Sequence, residues 1–266
     1  MGCHESRRPR VQNEFLKVEC DAHVATVTLD RPPVNAVNGP MTEALCATFT
    51  SVADDWDVRC VILASSSDRV WCGGADIKEH AERSGAPPTD PGKITRDAMW
   101  SILDCPVPVI AAVNGPALGG GLAFAACCDI IVASERAVFG CPEIDVGLLG
   151  GGAHLQRMVG PYRMRELYYT GKRVPAAEMY ELGGISRVVP HESLAAAARE
   201  IADEIARKSP PAIRLAKEAL TRVEHLPLRE AYRTEQDYTA RLRGYRDSKE
   251  AMQAFLEKRP PKFQGR

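Results

Sequence analysis

Apolar and polar positions alternate from Phe15 to Cys20 and again from Val24 to Asp30, around an Asp21-Ala22 turn, and this predicts a β-hairpin. Arg31-Pro32-Pro33-Val34-Asn35-Ala36 breaks the alternation. Met41, Leu45, Phe49 and Val52 then recur at helical spacing, predicting a helix over Pro40–Ala53. The runs Cys60–Ala64 and Val107–Val113 are continuously apolar and short, as buried strands are. Each is followed by glycines. The first leads through Ser65–Arg69 to Val70-Trp71-Cys72-Gly73-Gly74-Ala75-Asp76-Ile77-Lys78-Glu79. The second leads through Asn114-Gly115-Pro116-Ala117-Leu118-Gly119-Gly120-Gly121 into a small-residue apolar helix, then Asp129 and the β-branched Ile130-Ile131-Val132. Between them, 81–91 reads as a polar mobile loop and Thr95–Leu103 as a helix. Ala137–Gly140 reads as a short strand before Cys141-Pro142-Glu143, and Gly150-Gly151-Gly152 opens a helix carrying Leu155 and Met158.

Beyond Pro161 the pattern is helical, over Tyr162–Thr170, Pro175–Leu182, Ser193–Arg207, Pro211–Val223 and Leu228–Arg243, with one strand at Ser186–Val189. The chain is therefore read as α/β. A disordered extension is expected at 1–12, a core at 13–195 and a helical region at 196–266.

At 266 residues the chain exceeds a typical single domain yet shows no long linker, and 45% hydrophobic content is ample for a core. A net charge of −1 gives no pull towards nucleic acid or anionic membranes. The nine cysteines lie mostly inside apolar runs without CxxC or Cys/His clustering, which points to reduced thiols, no metal site and a cytoplasmic setting. No run is apolar enough to span a membrane or to form a signal core. Gly2 with Ser6, beside Cys3 and three arginines, fits a myristoylation pattern; the other reading is a plain disordered extension.

The strand–glycine–helix junctions carry the candidate chemistry. Glycine lets backbone approach another group closely, and a helix start leaves N–H groups without internal partners. These donors favour negative charge. Gly121 is followed by Leu122 rather than Lys, and the glycines are contiguous rather than spaced as G-x-G-x-x-G, so a nucleotide phosphate is disfavoured. Two readings remain: close helix–strand packing, or an oxyanion that forms during a reaction. Two such junctions, with Ala75 opening the helix after the first, would supply the paired donors of an oxyanion hole.

Glu143 sits between Pro142 and Ile144 after an apolar strand; it is either a general acid–base with a raised pKa or a solvated strand-end glutamate. Asp145 would share its face only if the chain stays extended. His154 has no Ser or Cys paired with it by any recognisable pattern and reads as a surface or packing residue. Cys72, near Glu79 and His80, reads as a small packing residue.

Together, Arg31-Pro32 with Asn35-Ala36, Cys72 to Glu79, Val113 to Gly121, Cys128-Asp129-Ile130-Ile131, and Pro142-Glu143 with Val146-Gly147-Leu148 resemble the crotonase, or enoyl-CoA hydratase/isomerase, superfamily. The match runs from the hairpin to Lys262-Phe263. The resemblance implies a spiral of β-β-α turns, with C-terminal helices that build a homotrimer or a dimer of trimers. It implies an acyl-CoA substrate, with coenzyme A as part of the substrate and no separate cofactor; some relatives also bind RNA, but the net charge of −1 and the lack of a basic–aromatic stripe argue against a nucleic acid partner, and no metal or membrane partner is expected. By position it assigns the oxyanion hole to Ala75 and Gly120 and the base to Glu143. Contacts to the CoA thioester fall to Val34, Ala36, Gly73, Asp76, Ile77, Lys78, Leu118, Pro142 and Phe263.

The hydratases of this family hold water with two glutamates, and the first position is here Ala123. The δ3,δ2-enoyl-CoA isomerases resemble this single-glutamate arrangement, so the expected activity is a double-bond shift. Dienoyl-CoA isomerases carry acids at the positions of Ala123 and Gly151, and neither is present. The alternatives are an enoyl-CoA hydratase using Glu143 alone or with Asp145 or Asp97, and a non-catalytic acyl-CoA-binding scaffold. The 81–91 loop and the helix with Asp97 and Trp100 are expected to shape the acyl pocket.

Overall fold

The computed structural model describes residues 13–82, 90 and 92–265, so the extension expected at 1–12 and most of the loop expected at 81–91 lie outside the described residues. The hairpin forms as β1 (Leu16–Asp21) and β2 (Val24–Leu29), with Asp21 opposite Val24. Its turn residues Ala22 and His23 both have positive φ, the backbone twist that matches a two-residue hairpin. Helix α1 (Gly39–Asp54) begins where the Asn38 side chain accepts from Met41 N at 3.0 Å, with Pro40 in the first turn. It buries Met41, Leu45, Phe49 and Val52 as the spacing requires.

Strand β3 (Cys60–Ser65) follows, then α2 (Ile77–Glu82), α3 (Lys93–Leu103), β4 (Val109–Val113), β5 (Ala117–Leu118), α4 (Gly120–Cys127) and β6 (Ile130–Ser134). Strand β7 (Val138–Gly140) runs into a 3-10 turn at Pro142–Val146, followed by α5 (Gly152–Met158), α6 (Pro161–Thr170), β8 (Val174–Pro175), α7 (Ala176–Glu181) and β9 (Arg187–Val189). Helices α8 (Leu194–Ala206), α9 (Pro210–Val223), α10 (Leu228–Leu242) and α11 (Arg246–Leu256) complete the described chain.

The larger sheet has the order β1-β2-β3-β4-β6-β9, parallel except for the β1–β2 hairpin. The smaller sheet has the order β5-β7-β8. Parallel bridges Val37–Ala75 and Cys72–Ala117 extend the same line of pairing towards the N-terminal end. Successive passes therefore place one strand in the large sheet and one extended segment in the second layer before a helix returns the chain. That is the spiral of β-β-α turns.

Between the layers lies the main core, where Trp71, Phe49, Phe124 and Phe139 are fully buried. Each such side chain contributes about 1.5–3 kcal/mol by leaving water. On the other face of the large sheet, Leu194, Ala198, Ala202 and Ala206 of α8 pack on Ile62, Ile110 and Val132. The domain boundary expected at 195/196 thus falls at the start of a helix that covers the sheet. Helices α9 and α10 form their own small cluster of Leu215, Ala219 and Tyr238. The Lys217 side chain, 3% exposed, reaches back from α9 to Asp129 Oδ1 at 2.6 Å, while Asp129 Oδ2 accepts from Val109 N at 2.8 Å.

The structure corrects several local expectations. The chain after Cys141 curls into the 3-10 turn rather than staying extended. Strand β5, strand β8 and helix α11 are additional to the elements expected from the sequence. Among the described residues no helix is long and apolar enough to cross a membrane.

Candidate active site

At the first junction Gly74 has φ +88°. The Val37–Ala75 bridge uses its flanking groups: Val37 N donates to Gly74 O at 2.7 Å and Asp76 N donates to Val37 O at 2.9 Å. Ala75 N–H lies between them and is directed away from the bridge. At the second junction Gly119 has φ +53° and Gly120 opens α4, whose first N–H groups have no intrahelical acceptor.

The junctions touch. A Cβ on Gly120 would stand 3.7 Å from Ala75 N, and one on Gly74 only 3.2 Å from Gly120 N and 2.6 Å from Leu118 O. A Cβ on Gly121 would meet Cys72 O at 2.3 Å. Glycine at 74 and 121 therefore lets the two turns interlock, and the N–H groups of Ala75 and Gly120 end up side by side. The same close packing that the glycines allow brings these two backbone N–H groups together.

Glu143 completes it. Its carboxylate lies between the N-terminal caps of α4 and α5: Oε1 would be 2.7 Å from a Cβ on Gly119 and 3.7 Å from one on Gly151. Oε2 is buried and has no hydrogen-bond partner among the described residues. Burial raises its pKa above the usual glutamate range. A partly desolvated base with an open lone pair beside two N–H donors is equipped to move a proton next to a carbonyl whose oxygen those donors hold. Ala123, one turn into α4 and 1% exposed, adds only a methyl group.

The remaining predicted contacts gather around the first junction. Gly73 N donates to Val34 O at 2.8 Å, which brings Val34 and Ala36 against Gly73, Ala75 and Asp76. Buried Asn35, with φ 50°, fixes that loop by donating to Ser65 Oγ at 2.8 Å and Trp71 O at 2.9 Å. Asp76 accepts from Arg31 at 2.8 Å and from Lys78 N at 3.1 Å, which lowers its pKa and caps α2. Its carboxylate is thus already engaged in holding the loop. Val34, Ile77 and Lys78 are exposed there. Leu118 and Pro142 are half-buried, at the second junction and at the start of the 3-10 turn. Phe263 lies apart in sequence, in a tail tied to α11 by Glu250 and Asp247, which accept from Lys262 N, Gln264 N and Gly265 N.

Two suggested helpers of Glu143 are placed elsewhere. The 3-10 turn swings Asp145 against Gly171, where a Cβ would be 2.7 Å from its Oδ2, and Asp97 pairs with Lys93 along an exposed face of α3. Cys72 is buried, donates to Asn35 O at 3.1 Å and has its thiol pKa pushed up to about 12, so it packs. A separate cleft of ≈ 570 Å³ between α9, α10 and the 104–106 turn is lined by Trp56, Arg214, Lys217 and Tyr238 and contains none of the predicted site residues.

The family described as "Enoyl-CoA hydratase/isomerase" matches residues 19–266. The chain is 39% identical over 240 residues to a (7aS)-7a-methyl-1,5-dioxo-2,3,5,6,7,7a-hexahydro-1H-indene-carboxyl-CoA hydrolase of Rhodococcus jostii, covering 90% of this chain and 93% of that one. It is 34% identical over 262 residues to a carnitinyl-CoA dehydratase of Salmonella enteritidis, covering 96% and 100%. Among solved structures, the enoyl-CoA hydratase from Bacillus anthracis superimposes with a TM-score of 0.90 at 34% identity, over 95% of this chain and 100% of that one.

Proposed function

Because the chain belongs to the crotonase, or enoyl-CoA hydratase/isomerase, superfamily of acyl-CoA enzymes, we propose that it shifts the double bond of a 3-enoyl-CoA to the 2 position with Glu143 as its single base. One observation supports the reading: the Glu143 carboxylate, with a buried oxygen that has no partner among the described residues, lies against Gly119, next to Gly120, while position 123 offers only a methyl group.

In this mechanism Ala75 and Gly120 donate to the thioester oxygen. Glu143 takes a proton from C2, and the C–H electron pair passes into an enolate held by those donors. The pair then reforms the carbonyl, C2=C3 forms as C3=C4 opens, and Glu143 returns the proton to C4. By analogy with oxyanion holes each donor lowers the barrier by about 3 kcal/mol. A positioned base contributes roughly 100- to 10,000-fold. Val34, Ala36, Gly73, Asp76, Ile77, Lys78, Leu118 and Pro142 would contact the CoA thioester. Phe263 would reach a neighbouring protomer's site in a trimer or dimer of trimers. Exposed Leu228 and Phe255, each 84% accessible on α10 and α11, support assembly.

The relationship to the indene-carboxyl-CoA hydrolase favours a second reading, hydrolysis of a ring-bearing acyl-CoA by the same base and the same enolate-stabilising pair. Turnover of 3-enoyl-CoA and 2-enoyl-CoA by the protein and its Glu143→Gln variant tests both. Double-bond migration that falls at least ~100-fold in the variant supports the isomerase. Glu143-dependent hydration without migration sinks it, and inertness towards both substrates leaves the hydrolase or a binding role.

A further inference from the structure

Helices α4 and α5 lie side by side, and two contacts fix their alignment. At their N-terminal ends the Glu143 carboxylate touches both caps, Gly119 and Gly151. At their C-terminal ends the Arg157 guanidinium of α5 donates to Ala126 O of α4 and reaches Cys128 O at 3.5 Å. From Gly119 to Ala126 is roughly 10 Å of helix, and from Gly151 to Arg157 roughly 9 Å, so the two spans match.

The residues halfway along them therefore stand at the same level of the two helices. On α4 that residue is Ala123, which shares a face with Gly119 and Ala126. On α5 it is His154, one turn after Gly151 and one turn before Arg157. Its Nδ1 is buried and has no hydrogen-bond partner among the described residues, just as Glu143 Oε2 has none. Two orphaned polar atoms thus flank one alanine-lined seam. A buried polar atom without a partner is costly, and a ligand group that satisfies it recovers that cost.

We propose that His154 determines acyl specificity: its imidazole, facing Ala123 across the α4–α5 seam, hydrogen-bonds an oxygen carried on the acyl part of the CoA thioester. The ligand class is an acyl-CoA bearing a ketone or hydroxyl beyond the thioester carbonyl, and the assignment rests on the acyl-CoA reading above. Burial and the neighbouring Arg157 both hold the ring towards its neutral form, which offers one donor and one acceptor. At this level of α4, Ala123 contributes only a methyl group. A purely hydrocarbon chain would leave Nδ1 unsatisfied.

The test is calorimetric binding of cyclohexanecarboxyl-CoA and its 3-oxo and 4-oxo counterparts, which have no double bond to move. Wild type is expected to bind at least one oxo ring roughly tenfold tighter than the plain ring, as one net hydrogen bond allows. His154→Leu is expected to erase that ratio, and His154→Gln, which keeps a donor and an acceptor, to retain part of it. Equal affinities for all three rings in wild type overturn the proposal, as does a ratio unchanged in His154→Leu. Intact 3-enoyl-CoA turnover with no binding of any ring overturns it as well. Loss of both turnover and all ring binding sinks the acyl-CoA reading, and the specificity assignment falls with it.

Discussion

The two glycine junctions look alike in sequence and in backbone, yet their positive-φ glycines are required for different reasons. Over Gly74 the space a Cβ would take is filled by backbone, Leu118 O at 2.6 Å. Over Gly119 it is filled by the end of a side chain, Glu143 Oε1 at 2.7 Å. A carbonyl in a bridged layer cannot move without unpicking its neighbours, whereas a carboxylate can rotate away. The first glycine therefore secures architecture and the second secures chemistry. Similar motifs, even within one site, need not be held by the same constraint.

The sharpest way to break this comparison is Gly119→Ala. The added methyl should evict the carboxylate and cut turnover in the proposed double-bond shift roughly 100- to 10,000-fold, about as far as losing the base does. Positive φ adds strain of about 1–3 kcal/mol, so the protein should remain folded while steady-state kinetics collapse. Full activity in Gly119→Ala would show that Glu143 does not work from where it sits.

Gly74→Ala should reverse the balance. Strain at φ +88° and the backbone clash together should cost about 3 kcal/mol or more, read as a lower Tm, and activity should fall only as folding does. A well-folded Gly74→Ala protein with lost turnover would merge the two glycines into one class.

The smallest expected effect is a stability difference that grows with pH. Burial raises the Glu143 pKa, so the folded state binds its proton more tightly than the unfolded chain does. The stabilisation is complete below the ordinary glutamate pKa and is lost as pH climbs through the raised one. Glu143→Gln, which does not titrate there, should gain Tm relative to wild type as pH rises from the acid side through that window. A constant gap across the window would mean that the carboxylate is solvated.

Much of this was legible in the chain. The continuous apolar runs at Cys60–Ala64 and Val107–Val113 became central parallel strands, because strands buried on both faces have no polar side to alternate with. The repeated strand–glycine–helix order marks the two junctions that the fold brings together. Strands of two residues such as β5 and β8 were not, since they owe their shape to neighbouring strands rather than to any pattern of their own.

Helix α11 escaped because only Asp247 and Ala254 of its residues are buried, and a buried aspartate hides an apolar stripe. That aspartate accepts from Gln264 N and Gly265 N, partners 17 and 18 positions away, which no local window weighs. His154, on the helix after a glycine turn, stands out among the histidines but reads as a surface or packing residue for want of a Ser or Cys partner, and the burial of its Nδ1 shows only in the folded chain.

Asp129 carries a consequence for the order in which the molecule can be completed. One of its oxygens is taken by the first residue of β4 and the other by Lys217 on α9. An ammonium group as enclosed as that of Lys217 is tolerable only opposite a fixed carboxylate. Until the β4–β6 pair has formed there is no such carboxylate, and docking the C-terminal helices would strand a charge away from water. The ion pair thus ties α9 to the junction between β4 and β6 through one enclosed charge.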